Sequence, residues 1–177
     1  MKPAITLISA ALLLGACATA PMYAGGPPPP RYGAAPTVFQ PSDFAWSTAP
    51  GSGSILGSLA YRDGPARYSC DGGDVLLTPE TPWSRRRMII LYGSAASAAV
   101  PVGIVRARTP SAPSGDYARY VRKTTCDADG HFAFTGLPDG GWFVITVARP
   151  VDDPAGEPIA VTRRVQTRGG ARTVILN

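Results

Sequence analysis

Residues 126–147 constrain the fold of this chain more than any other stretch. An Asp-Gly pair ending at Gly130 supplies the positive-φ position of a tight hairpin turn, and two phenylalanines follow it at the alternating period of a strand. A second turn at residues 137–140, Leu-Pro-Asp-Gly, leads into residues 142–147, whose aromatic and β-branched side chains are typical of a central strand. The stretch therefore predicts three strands joined by two short turns.

Composition extends this prediction to the rest of the folded part. Of 177 residues, 20 are glycine and 19 are proline, and only 16% are charged, which favours short strands and many turns over long helices. Segments with strand character recur at close spacing between turn residues. We therefore predict an all-β protein in which residues 51–177 form a single antiparallel β-sandwich of about 7–9 strands.

The middle of this predicted domain contains its least regular sequence. Pro79 and Pro82 predict a loop, because neither residue can donate a backbone hydrogen bond to a ladder. The apolar run after them predicts a buried strand at residues 85–92, and the small residues 93–99 predict a loop. Further strands are predicted at residues 54–62, 74–78, 101–108, 117–126, 158–167 and 172–176. No stretch keeps a helical period long enough to predict a helix.

The turn and core residues resemble those of a known class of domain. Residues 127–140 read Asp-Ala-Asp-Gly-x-Phe-x-Phe-x-Gly-Leu-Pro-Asp-Gly, and the small Gly57 lies near the end of the first predicted strand. Over residues 54–149 the chain resembles the carboxypeptidase regulatory-like and transthyretin-like domains. The resemblance implies a transthyretin-like or immunoglobulin-like sandwich that serves as an accessory unit, and it implies no activity.

The N-terminus has the features of an export signal. Lys2 precedes an apolar segment, residues 5–14, that is too short to span a bilayer as a stable helix. A Leu-Gly-Ala-Cys sequence ending at Cys17 resembles the lipobox of bacterial lipoproteins, which implies that the Cys17 sulfur carries lipid and holds the protein at the outer membrane, facing the periplasm or the surface. The alternative is an ordinary signal peptide cut after Ala18 or Ala20. Both readings export the protein.

Three segments follow from these observations: a lipoprotein signal peptide at residues 1–16, a disordered Pro/Gly-rich tether at 17–50, and the β-sandwich at 51–177. The tether cannot bury enough apolar surface to offset its ordering entropy. Phe39, Phe44 and Trp46 interrupt the tether near its end. Either these rings pack against the domain, or they form a recognition segment.

With Cys17 assigned to lipid, Cys70 and Cys126 remain as an even pair. In an oxidising periplasm such a pair predicts a disulfide. Two buried free thiols or a metal pair are the alternative, although no histidine or further cysteine is close enough in sequence to complete a recognisable zinc set.

Few residues suggest catalysis or metal binding. Asp127 and Asp129 could begin a calcium loop, but the acidic residue that such a loop needs near its end is absent, and a hairpin turn explains both. His131 is the only histidine, and neither Ser69 nor Ser84 has the sequence context of a nucleophile. We predict no catalytic residue, no metal and no cofactor.

The densest charge cluster lies beside a tryptophan. Trp83 could stack on a sugar or on an arginine, and Arg85, Arg86 and Arg87 could bind the phosphate or carboxylate groups of an envelope glycan. Alternatively, the arginines are a solvated strand face that discourages edge pairing. A further candidate sugar-binding face consists of Tyr117, Tyr120, Trp142 and Trp46, although Trp142 is better placed in the core.

The sequence thus favours a binding or structural role over a catalytic one. The net charge of +5 weakly favours anionic surfaces, and the basic residues are too dispersed to indicate nucleic acid as a partner. We expect a non-catalytic structural or protein-interaction module that contacts the membrane through its lipid anchor and binds an envelope protein. The alternative is a module that binds cell-wall glycan, either peptidoglycan or lipopolysaccharide.

Overall fold

The structure is a computed structural model that describes residues 38–109, 116–153 and 155–177. The predicted signal peptide, the lipidation site Cys17 and residues 17–37 of the predicted tether lie outside the described residues. No helix in the described ranges is both long enough and apolar enough to cross a membrane.

Strands are the predominant secondary structure, with 46% of the described residues and few residues in helices, in agreement with the predicted all-β class. The strands are β1 (Gly53–Leu59), β2 (Arg62–Asp63), β3 (Ala66–Ser69), β4 (Asp74–Pro79), β5 (Ser97–Pro101), β6 (Arg122–Thr125), β7 (His131–Leu137), β8 (Gly140–Pro150), β9 (Ile159–Thr167) and β10 (Ala171–Leu176). The helices are α1 (Pro41–Phe44), α2 (Pro82–Tyr92) and α3 (Val102–Arg108), with 3₁₀ turns at Ala45–Thr48 and Tyr117–Tyr120.

The strands form two sheets. The smaller sheet has the order β10-β1-β7, and the larger one has the path β2-β3-β8-β4-β6, with β9 pairing β8 and β5 pairing β9. All described pairs are antiparallel except β1 and β10, which run parallel. The expectation of purely antiparallel pairing is therefore wrong at this one pair, because the last strand of the chain returns beside the first strand in the same direction.

The inner faces of the two sheets contribute to one hydrophobic cluster. The smaller sheet supplies Ile55, Phe132, Phe134, Leu137, Val174 and Leu176, and the larger one supplies Val75, Leu77, Trp142, Val144, Ala148, Ile159 and Val161. The Trp142 ring is fully buried, and its indole nitrogen donates to the Thr167 hydroxyl over 3.1 Å. The prediction that Trp142 belongs to the core is confirmed. Gly57 leaves room for the Phe132 ring, which lies where a side chain at that position would be.

Residues 85–92 form part of helix α2, so the predicted strand is wrong. The predicted proline loop is confined to residues 80 and 81, between the end of β4 at Pro79 and the start of α2 at Pro82. The helix begins with a capping box, in which the Thr81 hydroxyl accepts from the Ser84 amide and the Ser84 hydroxyl accepts from the Thr81 amide. Pro82 is favourable at the first helical position, and Gly93 ends the helix with a φ of 78°.

Three other segments also differ from the prediction. Residues 93–99, predicted as a loop, contain the start of β5, which pairs with β9. Residues 101–108, predicted as a strand, form helix α3 after Pro101. Residues 117–126 form a 3₁₀ turn and only the short strand β6. In each case pairing and packing with distant elements override a weak local pattern.

The end of the predicted tether packs on the domain. Phe44 in α1 is fully buried, and its ring lies 6.0 Å from Trp83 and 5.2 Å from Tyr120. The half-buried Trp46 ring meets the Trp142 ring edge-to-face at 5.0 Å. Of the two alternatives for these rings, packing against the domain is the one that the structure shows, and the folded part extends back to residue 38.

Candidate functional site

A groove of about 500 Å³ lies at the end of the molecule where β1 leaves the smaller sheet. We call it the tyrosine groove, and its chemically distinctive lining residues are Tyr61, Tyr68, Arg62, Arg67, Asp71 and Asp129. The two tyrosine rings are half-buried and meet edge-to-face, with 5.1 Å between their centroids. The groove therefore combines partly exposed aromatic rings with both signs of charge.

The β2–β3 hairpin creates the tyrosine pair. Arg62 pairs with Arg67 across this hairpin, so Tyr61 and Tyr68, one residue further out on each side, become neighbours. The two-residue loop between the strands begins with Gly64, whose φ of 54° is a conformation that favours glycine. A β-branched residue there would strain the turn and displace the ring pair.

The Cys70–Cys126 disulfide connects the two walls of the groove. The Cα atoms of Cys70 and Cys126 are 5.7 Å apart, and both residues are buried. One cysteine directly follows β3, and the other directly precedes the turn that contains Asp129. The Gly130 carbonyl also accepts from the Leu59 amide over 3.0 Å, which ties the same turn to the end of β1. These bonds hold the wall residues in a defined arrangement.

Several polar side chains of the groove are not engaged by the protein. The side chains of Arg62, Asp71 and Asp129 make no hydrogen bond or ion pair with any residue in the described ranges. Arg67 makes only a long, exposed ion pair with Asp152 at 3.9 Å. Burial, the nearby Asp63 carboxylate and Tyr68 raise the pKa of Tyr61, so its phenol remains a neutral hydrogen-bond donor and acceptor at ordinary pH.

The predicted Trp83 and arginine site is arranged differently from its prediction. Trp83 is only 5% exposed, and its ring packs against Phe39, Phe44 and Tyr117. The Arg87 guanidinium lies 5.7 Å from the centre of the Trp83 ring. Of the two partners proposed for this ring, a sugar and an arginine, the structure places the arginine there.

The three arginines do not converge on one point. Arg85 donates to Glu80 over 2.8 Å, and Glu80 also accepts from Arg164 over 2.6 Å. Arg86 is half-buried on the helix, and Arg87 stacks on aromatic rings. The alternating strand face that the sequence suggested is absent because the segment is helical.

The aspartates after Cys126 have a structural role in their turn. The Asp127 carboxylate accepts from the amides of Asp129 over 3.0 Å and of His131 over 2.7 Å, as in an Asx turn. Within the described ranges, no group of three potential metal ligands lies close together. Ser84 is part of the α2 capping box, and the Ser69 hydroxyl accepts from the Asp71 amide.

Sequence reasoning missed the tyrosine groove. One signal was available, because a two-residue Gly-Pro loop places Tyr61 and Tyr68 on opposite strands at the same level. The contribution of Asp129 had no local signal, since it comes from a turn about sixty positions away in sequence.

Comparisons with known proteins add a fold relationship. No protein-family model matches the chain, and no curated protein does. Among solved structures, the chain is similar to a Pseudomonas aeruginosa protein that carries the provisional description of a carbohydrate-binding protein. The TM-score is 0.53 with 21% identity, and the match covers 78% of this chain and 96% of the other. At this identity the likeness concerns the fold alone.

Proposed function

We propose that this protein is a non-catalytic carbohydrate-binding module of the bacterial cell envelope and that it binds glycan in the tyrosine groove. One observation carries the proposal: a contacting pair of half-exposed tyrosine rings shares an open groove with three charged side chains that nothing in the described protein engages. The provisional description of the Pseudomonas protein as carbohydrate-binding supports the same class of ligand.

The groove offers both kinds of contact that a sugar needs. The apolar C–H face of a sugar ring stacks on an aromatic ring, and Tyr61 and Tyr68 provide such rings. Sugar hydroxyls donate to carboxylates and accept from a guanidinium, which are the groups of Asp71, Asp129 and Arg62. Because the groove is an open surface, it suits a segment of a longer glycan chain.

We also propose an architecture and a cellular location for the protein. We propose that the two sheets form a single β-sandwich of the transthyretin-like kind, supported by their shared hydrophobic cluster. The lipobox-like sequence at Cys17 supports lipid anchoring at the outer membrane, with residues 17–37 as the tether. A tether of this composition would let the groove reach cell-wall glycan from the membrane.

Glycan titration tests the groove. The full-length chain, kept soluble in detergent, is titrated with soluble peptidoglycan fragments and with lipopolysaccharide oligosaccharide while its NMR spectrum is recorded. We expect shifts around the β2–β3 hairpin and about tenfold weaker binding after Tyr61→Ala or Tyr68→Ala. Tyr117→Ala, which removes an equally half-buried ring outside the groove, should leave affinity unchanged. If neither glycan binds, or if all three variants weaken binding equally, the groove is not a glycan site.

Mass spectrometry of the mature protein tests the proposed lipid anchor at Cys17. Lipidation predicts an N-terminus at Cys17 with added acyl mass. A mature chain that begins at residue 19 or 21 without acyl mass would replace the anchor with an ordinary signal peptide.

A second candidate function is a protein-interaction module. Leu56 and Ile175 lie on the same outward face of neighbouring strands in the smaller sheet, and each is nearly half exposed. In-cell crosslinking followed by purification distinguishes this candidate, since a protein partner lost from Leu56→Ser with Ile175→Ser and retained by Tyr68→Ala would place the interaction on this face.

A further inference from the structure

A partly open cavity of about 180 Å³ lies between helix α2 and the outward face of the larger sheet. We call it the α2 cavity. The sheet contributes Leu76 and Ile145, which are directly paired across β4 and β8. Helix α2 contributes Met88 and Leu91, and α3 contributes Val105. Most of its wall is thus apolar, in contrast to the tyrosine groove.

One cation lines this apolar space. Arg87 is half-buried, and its guanidinium lies 5.7 Å from the centre of the Trp83 ring and 5.3 Å from that of Tyr117. Stacking against two rings fixes the plane of the guanidinium but leaves its N–H groups without an anion. No carboxylate lines the cavity, and Arg87 forms no ion pair with any residue that the structure describes.

The environment of Arg87 contrasts with that of its neighbour. Arg85, two residues earlier on the same helix, is exposed and paired with Glu80. A partly desolvated cation that lacks a protein carboxylate is complementary to an anion supplied from outside. Tyr92 and Tyr117 also line the cavity and carry further hydroxyl donors, whereas the hydroxyl of the lining residue Thr109 already donates to the Val105 carbonyl over 2.8 Å.

The volume limits the size of the occupant. A cavity of about 150 Å³ lined by aliphatic and aromatic side chains accommodates one benzene molecule. The α2 cavity is slightly larger and has a cation at its wall. We propose that the α2 cavity binds a small monocarboxylate with an apolar ring or short chain, its carboxylate on the Arg87 guanidinium and its apolar part against Leu76, Met88 and Ile145. This site is separate from the tyrosine groove and shares no lining residue with it.

Benzoate and its neutral isostere benzamide are the probes. The full-length chain is titrated with each while the NMR signals of α2, including the Trp83 indole, are followed. We expect saturable benzoate binding and at least tenfold weaker benzamide binding. Arg87→Gln should weaken benzoate binding at least tenfold, whereas Arg85→Gln, the matched loss of charge on the same helix, should not change it. No saturable binding, equal binding of the two probes, or equal effects of the two variants would overturn the proposal.

A second variant tests the cavity while Arg87 is retained. Val105→Trp on α3 fills the cavity from its rim without removing Arg87. If the variant keeps the thermal stability of the parent, we expect it to abolish benzoate binding, and retained binding would locate the anion elsewhere. Tyr68→Ala should leave benzoate affinity unchanged, so this test can fail or succeed independently of the glycan proposal.

Discussion

The tyrosine groove and the α2 cavity both combine aromatic rings with arginines, but the exposure of the rings and the partners of the arginines differ between them. In the groove, Tyr61 and Tyr68 are partly exposed, and the Arg62 guanidinium makes no hydrogen bond or ion pair with any described residue. At α2, Trp83 is buried and Arg87 covers its ring. Because a ring already covered by protein cannot stack on a sugar, the comparison shows that the presence of these residue types alone does not define a glycan site.

The Cys70–Cys126 disulfide holds the walls of the tyrosine groove but not the α2 cavity, and its removal should have the largest effect on stability. Cys70→Ser with Cys126→Ser opens a loop with a sequence separation of 56 residues. In the chain-entropy account this costs about 4 kcal/mol of unfolding free energy. Urea unfolding of the parent and the double variant measures the loss.

Reduction of the parent provides the control for this prediction. Dithiothreitol should destabilise the parent by a similar amount and should leave the double variant unchanged. Equal stability of the oxidised and reduced parent would contradict a stabilising disulfide.

Trp83→Ala tests whether the α2 aromatics are structural. Removal of this ring from its contacts with Phe39, Phe44 and Tyr117 should lower the free energy of unfolding by about 3 kcal/mol. Tyr68→Ala in the groove should cost about 1 kcal/mol or less, because its ring is already partly in solvent. Chemical unfolding gives both values, and the reverse order of costs would remove the distinction between the two regions.

The capping box of α2 has a smaller expected effect. Thr81→Ala leaves the Ser84 amide without its acceptor and should lower stability by about 1 kcal/mol. Thr173→Ala, on the exposed outer face of β10, is the control and should change stability little. A cost no greater than that of the control would show that the cap does not hold the helix.

The smallest effect concerns alkaline pH. Burial and Tyr117 raise the pKa of Tyr92 above its ordinary value of 10.0, against a lowering effect of Arg87. The unfolded chain therefore loses this proton first, and the free energy of unfolding falls as pH rises from 10.0 towards the folded pKa. Tyr92→Phe should make this fall shallower. Part of the fall should remain in the variant, because the pKa of Tyr61 is also raised in the folded protein. Unfolding measured from pH about 9 to about 11 tests the slope, and an unchanged slope in the variant would reject the assignment.

The helix α2 shows why part of the fold escaped prediction. The residues of its cap, the proline at its first position and the terminal Gly93 are all local signals of a helix, but the apolar run 88–91 by itself predicts a strand buried on both sides. In the structure Met88 and Leu91 face the protein, while Ile89 and Ile90 are 51% and 50% exposed. Two buried residues three positions apart, with two exposed residues between them, are typical of one face of a helix.

The tyrosine groove escaped prediction for a different reason. Its hairpin was partly readable, since Gly64 and the residues beside it indicated a turn. Asp129 joins Tyr61 and Tyr68 only because β7 and β1 pair and the disulfide holds the adjoining loops. No local pattern reports which loops will meet at the end of two packed sheets.

The sequence by itself determined the β-rich class, the three strands and two short turns of residues 126–147, and the burial of Trp142. These depend on turn chemistry and on a two-residue alternation, which act over a few neighbouring positions. The prediction that the first of these turns closes a hairpin is wrong, because β7 pairs in the smaller sheet whereas β6 and β8 pair in the larger one. Only the tertiary structure decided the parallel pairing of β1 with β10, the small helix α3 and the environments of Arg87 and Tyr61. The physical reason is that solvent exposure and partner choice depend on residues far away in sequence, which the packing of the sheets brings together.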